Sequence, residues 1–221
     1  MLSLIKKDFR LIKNIVIFAT LFVLGFCITA YKTQDSIIAQ IYFGYAIFAM
    51  TYAMLMYSIN FDEKTKADIM LNSLPLKRND IVKARYTSYF IYPLVFGGIL
   101  FLLTNIINIL EISENFKGSP LGLLSLLFII SITLIFLSIY LPVYYYGIGN
   151  VVTANVVFWM LLIMAPALIE KLAKYIDFTV FFRFMEYLDF KMATLGTLVF
   201  SIIIYLLSME ASKRIYSMKE F

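Results

Sequence analysis

The length, composition and charge of this chain indicate a membrane protein and exclude several other classes. Hydrophobic residues make up 62% of its 221 residues and charged residues only 15%, and its apolar runs are much longer than buried strands. The formal net charge of +5 comes without a basic patch interleaved with aromatic residues, so we expect no nucleic acid partner. The composition predicts a single all-α integral membrane domain over residues 1–221.

Residue types that metal and catalytic sites commonly need are absent. The chain has one cysteine, Cys27, and no histidine, which excludes an internal disulfide, Cys/His metal centres and His-based catalysis. It also lacks the G-x-x-x-x-G-K-[ST] loop with which many ATPases hold phosphates. We therefore expect no catalytic residue, no metal and no cofactor in this chain, and a separate chain would have to supply any ATP hydrolysis.

The chain begins with a pattern that predicts an amphipathic helix in the membrane interface over residues 1–14. Apolar residues gather on one helical face, and the opposite face carries Lys6, Lys7, Arg10 and Lys13. Asp8 lies within the apolar arc, which a helix facing only lipid does not explain. We expect Asp8 to contact a protein partner.

Six apolar segments are long enough, or nearly so, to cross a bilayer core that needs about 20 helical residues. They are residues 15–31, 37–60, 86–110, 121–141, 151–169 and 192–209. With six spans, 13 of the 19 Lys and Arg residues fall on the side of both termini and six on the other. Positive charge accumulates in cytoplasmic loops, so we expect a multi-pass protein of the cytoplasmic (inner) membrane with both termini in the cytoplasm.

The second predicted span carries an aromatic stripe in which Tyr45, Phe48 and Tyr52 are spaced i, i+3 and i+7. The stripe is consistent with a pathway for apolar cargo, to which Thr51 and Asn155 of the fifth span would add hydrogen bonds. It is equally consistent with helices that pack through small residues. None of the six predicted spans contains a charged residue, which argues against transport coupled to an ion gradient.

The longest polar interruption is residues 61–85, between the second and third spans, which we call the elbow. Because proline disfavours helix at the residue before it, Leu74 and Pro75 predict a break between two short helices. The second of these should begin near Asn79, whose side chain can cap it. On composition alone the elbow is either a docking surface for a partner or a solvated loop.

Acidic residues open the elbow. We expect Asp62 and Glu63 in the first turn of its first helix, where negative charge complements the helix dipole. Asp62 is also spaced to pair with Lys66 at i, i+4.

Two segments follow the fourth and fifth spans. The fourth span ends in three consecutive tyrosines, Tyr144 to Tyr146, which predict an aromatic belt at the membrane interface. Residues 170–191 mix acids and bases with several phenylalanines, and no part of them is long enough to span. We therefore expect an amphipathic segment on the outer side, between spans five and six.

Short motifs along the chain are shared with one family of membrane proteins. They are Lys7-Asp8-Phe9, Asp62-Glu63-Lys64, Leu71-Asn72-Ser73-Leu74-Pro75, Arg78, Ile81-Val82 and Arg85-Tyr86. On these motifs and the six-span layout, the chain resembles the permeases of type-2 ATP-binding-cassette exporters, and more narrowly the small bacterial permeases that include phenol-soluble modulin exporter subunits. Two positions depart from that pattern, because Lys77 stands where Ser or Thr is usual and Arg85 where Lys is common.

The resemblance implies that the elbow seats on an ATPase, with coupling residues Asp8, Asp62, Glu63, Lys66, Leu74, Pro75 and Arg78. It implies two permease copies, identical or paralogous, embedded in membrane lipid above two ATP-binding-cassette ATPase subunits that bind ATP and Mg. The function expected from it is export of hydrophobic or amphipathic cargo, membrane-active peptides first, from a bacterial cell by alternating access. The alternatives are a non-transporting sensor or immunity subunit for antimicrobial peptides and, third, a lipid-modifying membrane enzyme.

Overall fold

A computed structural model of the protein describes residues 36–65, 78–110, 120–146 and 190–218, with the single residues 21, 25, 28, 30, 155, 156 and 160. Four long helices lie within these residues: α1 (Ser36–Lys64), α2 (Arg78–Leu110), α3 (Leu123–Tyr146) and α4 (Phe190–Ser217). Each is long and apolar enough to cross a membrane. They match the second, third, fourth and sixth predicted spans, so the all-α membrane class is confirmed and the total of six spans stays a prediction.

The helices extend beyond the predicted spans into the elbow. α1 continues past Asn60 to Lys64, and α2 begins at Arg78, close to the predicted start at Asn79. The prediction that Asp62 and Glu63 open a new helix is therefore wrong, because they lie in the last turn of α1. No glycine or proline interrupts the chain there, and the α1 hydrogen-bond pattern continues to Thr65, whose N–H donates to Phe61 O at 3.0 Å.

α1 and α3 run side by side in the same direction. Near their starts, a Cβ on Gly44 would lie 3.4 Å from Cγ1 of Ile129, and farther along the rings of Tyr52 and Tyr140 are 6.4 Å apart. Small residues at such a contact let two helix backbones approach closely. We call the end of the bundle that holds Lys64 the elbow end, and the opposite end the far end.

α3 and α4 are also parallel neighbours. Phe128 contacts Phe190 near the far end, with ring centroids 6.4 Å apart, and Tyr145 contacts Tyr216 near the elbow end at 5.6 Å. Both helices therefore begin at the far end and end at the elbow end. α2 runs in the opposite direction and packs against all three other helices.

Near the middle of α2, Gly97 lies close to side chains of both α1 and α3. A Cβ on Gly97 would lie 2.7 Å from Cδ1 of Leu126 on α3 and 3.7 Å from Cδ1 of Ile47 on α1. The neighbouring Gly98 has open space beside it, although it lies on the same helix. Gly97 therefore leaves room for the side chains of Leu126 and Ile47, and α2 remains helical through Pro93 one turn earlier.

Several predictions fall outside the described residues. These are the interfacial helix at 1–14, most of the first and fifth spans, residues 170–189 of the outer segment, and the predicted coupling residues Asp8, Lys66, Leu74 and Pro75. They stay predictions.

Candidate functional site

A groove of about 670 Å³ opens between α1 and α3 in the far half of the bundle. Its walls are mainly apolar and aromatic, and include Ile41, Tyr45, Phe48, Phe128, Ile132 and Phe190. Among the residues that the structure describes, no charged side chain lines it. Its volume lies within the range of 300–1,000 Å³ that is typical of small-molecule pockets. The groove is therefore suited to apolar or aromatic groups.

The predicted aromatic stripe divides between this groove and helix packing. Tyr45 lines the groove with 58% of its surface exposed, and Phe48 lines it deeper in. Phe48 also packs edge-on against Phe136 of α3, with ring centroids 4.8 Å apart. Both interpretations of the stripe thus have contacts behind them, and the structure by itself does not test a role in transport.

The remaining predicted cargo residues lie nearer the elbow end. Tyr52 does not line the groove; its hydroxyl donates to Asn155 Oδ1 at 3.2 Å, and Tyr140 donates to the same oxygen at 3.1 Å. Thr51 is buried and donates to Ile47 O of its own helix at 2.8 Å. The structure therefore brings Tyr52 and Asn155 together and directs the hydroxyl of Thr51 back to α1.

A buried ion pair ties α1 to α2 at the elbow end. Arg85 Nη2 lies 3.0 Å from Asp62 Oδ2, and Arg85 Nη1 donates to the Tyr144 hydroxyl of α3 at 3.3 Å. Asp62 and Arg85 are only 3% and 5% exposed. Asp62 is at the helix end where its charge opposes the dipole, so the contact with Arg85 offsets an unfavourable position. Lys66, the predicted partner, lies outside the described residues.

Beside this pair, a hydroxyl network joins α2, α3 and α4. Tyr86 contacts Ser208 Oγ at 2.9 Å and Ser212 Oγ at 2.7 Å, while Tyr205 donates to Tyr86 O at 2.7 Å. Ser208 in turn donates to Ser138 O at 2.7 Å. Since the Ser208 hydroxyl proton is used on Ser138, Ser208 Oγ acts as an acceptor toward Tyr86.

The three tyrosines predicted as an interfacial belt mostly face the protein interior. Tyr144 and Tyr145 are buried, with ring centroids 5.3 Å apart, and only Tyr146 is exposed, at 78%. The belt prediction is therefore wrong for the first two, because Arg85 and Tyr216 provide them with partners inside the bundle. We refer to Asp62, Arg85, Tyr86, Tyr144, Ser208 and Ser212 as the elbow-end cluster.

The predicted coupling residues that the structure describes occupy this same end in different environments. Glu63 and Arg78 are exposed, and Arg78 Nη1 donates to Ser217 O of α4 at 3.1 Å. Asp62 is buried against Arg85, so its side chain faces the bundle rather than the surface.

Sequence reasoning missed Arg85, Tyr86 and Tyr144 as members of one cluster. A usable signal was present, because an acid at the end of one span and a base at the start of the next meet when the two helices are antiparallel. The pairing was missed because Asp62 and Arg85 fall just outside the predicted span limits of Asn60 and Tyr86, and were therefore assigned to the elbow.

Comparison with known proteins gives a match at the level of a family. A family model described as ABC-2 family transporter protein matches residues 3–217, which include all four described helices. No curated protein matches the chain, and no solved structure does.

Proposed function

The chain belongs to the ABC-2 family of transporter proteins, and from that premise we propose that it is the membrane-spanning permease of an ATP-binding-cassette exporter in a bacterial inner membrane. The observation that carries the proposal is the family match over residues 3–217. Four apolar helices and the missing phosphate-binding loop agree with a subunit that moves cargo while another chain hydrolyses ATP with Mg.

The groove supports a hydrophobic or amphipathic cargo. Its described lining offers aromatic and aliphatic surface and no charged side chain with which a bare ion could pair. Aromatic faces such as those of Tyr45 and Phe48 receive apolar surface well. The sequence resembles the phenol-soluble modulin exporters, whose cargo is membrane-active peptides. Such peptides are amphipathic, and their apolar side would fit the groove.

The elbow end supports the coupling step. Exposed Glu63 and Arg78 would touch the ATPase together with Lys66, Leu74 and Pro75 of the elbow and Asp8 of the interfacial helix. Buried Asp62 would act indirectly, because its pair with Arg85 makes the end of α1 and the start of α2 move as one unit. ATP-driven closure of the two ATPases would then tilt these helices and open the cargo path to the other side, in a dimer of identical or paralogous permeases.

The first test is identification of the partner ATPase. The full chain, purified from its native membrane in mild detergent, should bring with it an ATP-binding-cassette subunit that mass spectrometry identifies. A purified complex that lacks any such subunit, and vesicles in which ATP drives no cargo movement, would refute the proposal. ATPase stimulation without cargo accumulation in vesicles would instead favour the sensor or immunity function, and chemical change of an added lipid would favour the enzyme.

The cargo assignment is tested by paired variants in the groove. Tyr45→Ala and Phe48→Ala should reduce the stimulation of the partner's ATPase by amphipathic peptide several-fold and leave its basal rate unchanged, since they remove apolar contact surface. Tyr42→Ala is the matched control, because Tyr42 is a partly exposed tyrosine of the same helix that does not line the groove. Equal loss of basal and stimulated rates would show that the stripe only packs helices.

Orientation is tested by labelling single cysteines in a chain with Cys27→Ser. With both termini in the cytoplasm, Asn115→Cys should react with an impermeant reagent added to intact cells, whereas Asn72→Cys should react only after the cells are opened. Labelling of position 72 in intact cells would reverse the topology.

A further inference from the structure

Several basic side chains lie where α2 and α4 meet at the elbow end. Lys83 is near the start of α2, and Lys213 and Arg214 are near the end of α4. The two helices are in contact here, because the Tyr86 hydroxyl lies 2.7 Å from Ser212 Oγ. One acid, Glu210, lies among these bases. We refer to Lys83, Glu210, Lys213 and Arg214 as the basic patch.

The basic patch has more positive charge than its acid neutralises. Buried Lys213 contacts Glu210, whose side chain is 61% exposed. The charges of Lys83 and Arg214 also stabilise the Glu210 carboxylate, but within the described residues neither forms an ion pair of its own. Lys83 is half-buried and Arg214 is exposed. The patch therefore presents unneutralised positive charge at the membrane-facing side of α2 and α4.

The length of the uncharged part of α4 sets the depth of the patch in the membrane. Residues 192–209 carry no charge, and at a rise of 1.5 Å per residue they cover about 27 Å. A bilayer core is about 30 Å thick. Lys191 lies just beyond one limit of this segment and Glu210 just beyond the other. We therefore expect the basic patch at the depth of the lipid head groups.

An exposed apolar stripe on α4 leads to the patch. Ile203, Leu206 and Leu207 precede Glu210 by seven, four and three residues, so they lie on its face of the helix. Each of them is at least half exposed. Arg214 follows Glu210 by four residues and therefore lies at the end of the same stripe. A head group bound at Arg214 would have its acyl chains beside these apolar side chains.

We propose that the basic patch binds the phosphate of an anionic phospholipid, with Lys83 and Arg214 as its partners and an acyl chain along Leu206 and Leu207. Positive charge complements such a head group, and basic pockets between membrane helices bind anionic lipids. An acidic surface of a partner protein would also complement the charge, but it has no acyl chain to cover the apolar stripe. The site requires insertion in a membrane and does not depend on the proposed export function.

Binding is measured by tryptophan quenching of the full chain in vesicles, with no ATPase present. The only tryptophan, Trp159, is replaced by Phe, and Leu207→Trp places a reporter on the stripe. Two probes carry the same brominated acyl chains: phosphatidylglycerol, which is anionic, and phosphatidylcholine, which is zwitterionic. Phosphatidylglycerol should bind with an apparent affinity about five- to thirtyfold higher, which corresponds to about 1 kcal/mol for each of one or two basic residues.

The control reporter is Ile139→Trp on α3. Ser138, the residue before it, accepts a hydrogen bond from Ser208, the residue after Leu207, so the two reporters lie at similar depth. Ile139 is exposed like Leu207, and α3 carries no charged residue. We expect little preference for phosphatidylglycerol at this position. An equal preference at both reporters, or none at Leu207→Trp, would show ordinary lipid contact and refute the site.

Substitutions test the two proposed phosphate partners. Lys83→Gln and Arg214→Gln should each lower the preference at the Leu207→Trp reporter several-fold, and high salt should lower it because salt screens charge. Lys64→Gln is the matched control, since Lys64 is an exposed base at the same end of the bundle on α1, which packs against α2 and α3. An equal loss for Lys64→Gln, or no loss for the other two, would refute the assignment.

A second measurement uses the wild-type protein. Phosphatidylglycerol with a photoactivatable acyl chain should label residues 203–207, and excess unlabelled phosphatidylglycerol should displace it. Phosphatidylcholine and soluble glycerol phosphate should not, because one lacks the net charge and the other lacks acyl chains. Displacement by either of them to the same extent would refute a site for an anionic lipid.

The same labelling separates a lipid site from a protein interface. In the purified complex with the partner ATPase, labelling of residues 203–207 should persist. Loss of labelling in the complex would show that the ATPase covers the basic patch, and would refute a lipid site in the assembled transporter.

Discussion

The two ends of the helix bundle differ in what lies between the helices. At the elbow end, polar and charged groups are buried and hold one another: Arg85 contacts Asp62 and Tyr144, and Tyr86 contacts two serines of α4. At the far end, α1 and α3 leave an apolar groove whose wall includes a tyrosine with more than half of its surface exposed. Helices in lipid gain little from burying apolar surface, so specific polar contacts hold the first region and small residues set the spacing of the second.

This difference matches a division of labour in the proposed exporter. The elbow end must transmit force from an ATPase without deforming, and a hydrogen-bonded cluster across four helices provides that stiffness. The groove must admit and release a ligand, which requires exposed apolar surface such as that of Tyr45 and Ile132. The comparison predicts that substitutions at the elbow end cost mainly stability and coupling, and substitutions in the groove cost mainly ligand response.

The largest effect should come from breaking the buried ion pair. Arg85→Met removes the guanidinium that contacts buried Asp62, so the free energy of unfolding should fall by about 3–5 kcal/mol. Thermal or denaturant unfolding of the purified protein measures this. Adding Asp62→Asn to Arg85→Met should restore much of the loss, and Arg78→Met, at an exposed arginine of the same helix, should cost far less. A loss for Arg85→Met no larger than that for Arg78→Met would contradict a structural role for the pair.

The next largest effect should come from Gly97, where α2 contacts α3. Gly97→Leu forces a side chain into the space held by Leu126, and overpacking of this kind costs about 1–3 kcal/mol of unfolding free energy. Gly98→Leu, on the open side of α2, should be close to neutral or mildly stabilising because leucine favours helix. Equal effects of the two substitutions would mean that α2 and α3 are farther apart than described.

A smaller effect should follow from removing one hydroxyl of the network. Tyr86→Phe takes away the contacts with Ser208 and Ser212 and keeps the ring, so we expect a loss of about 1 kcal/mol, which is at the upper part of the range for single polar contacts in membrane bundles. Tyr45→Phe, which removes an exposed hydroxyl in the groove, is the comparison and should have a smaller effect on unfolding. A larger loss of unfolding free energy for Tyr45→Phe than for Tyr86→Phe would contradict the stabilising role of the hydroxyl network at the elbow end.

The smallest effect on stability should come from the groove wall. Ile132→Ala and Tyr45→Ala remove half-exposed side chains, so unfolding should change by less than about 1 kcal/mol while stimulation of the partner's ATPase by amphipathic peptide weakens. Denaturant unfolding of the purified protein and peptide-stimulated ATPase activity of the complex measure the two quantities on the same variants. Strong destabilisation with an unchanged ligand response would contradict the assignment of ligand response to the groove and of stability to the elbow end.

The sequence by itself determined the class of the protein and the position of its membrane helices. Runs of about 20 apolar residues have few other uses, so the second, third, fourth and sixth spans could be located, although the helices extend up to eight residues beyond the predicted limits. The motifs around Asp62, Leu74 and Arg85 indicated the permease family, which the match over residues 3–217 supports at the family level. The i, i+3 spacing of Tyr45 and Phe48 also predicted that they share one helical face.

Only the tertiary structure decided which polar residues meet and where helices end. Asp62 and Arg85 are 23 positions apart, and nothing local distinguishes their pairing from an i, i+4 pair of Asp62 with Lys66. Tyr144 and Tyr145 have the composition of an interfacial belt, and they are buried because α2 and α4 bring Arg85 and Tyr216 beside them. The groove likewise depends on the spacing of α1 and α3, which packing determines and hydropathy does not encode.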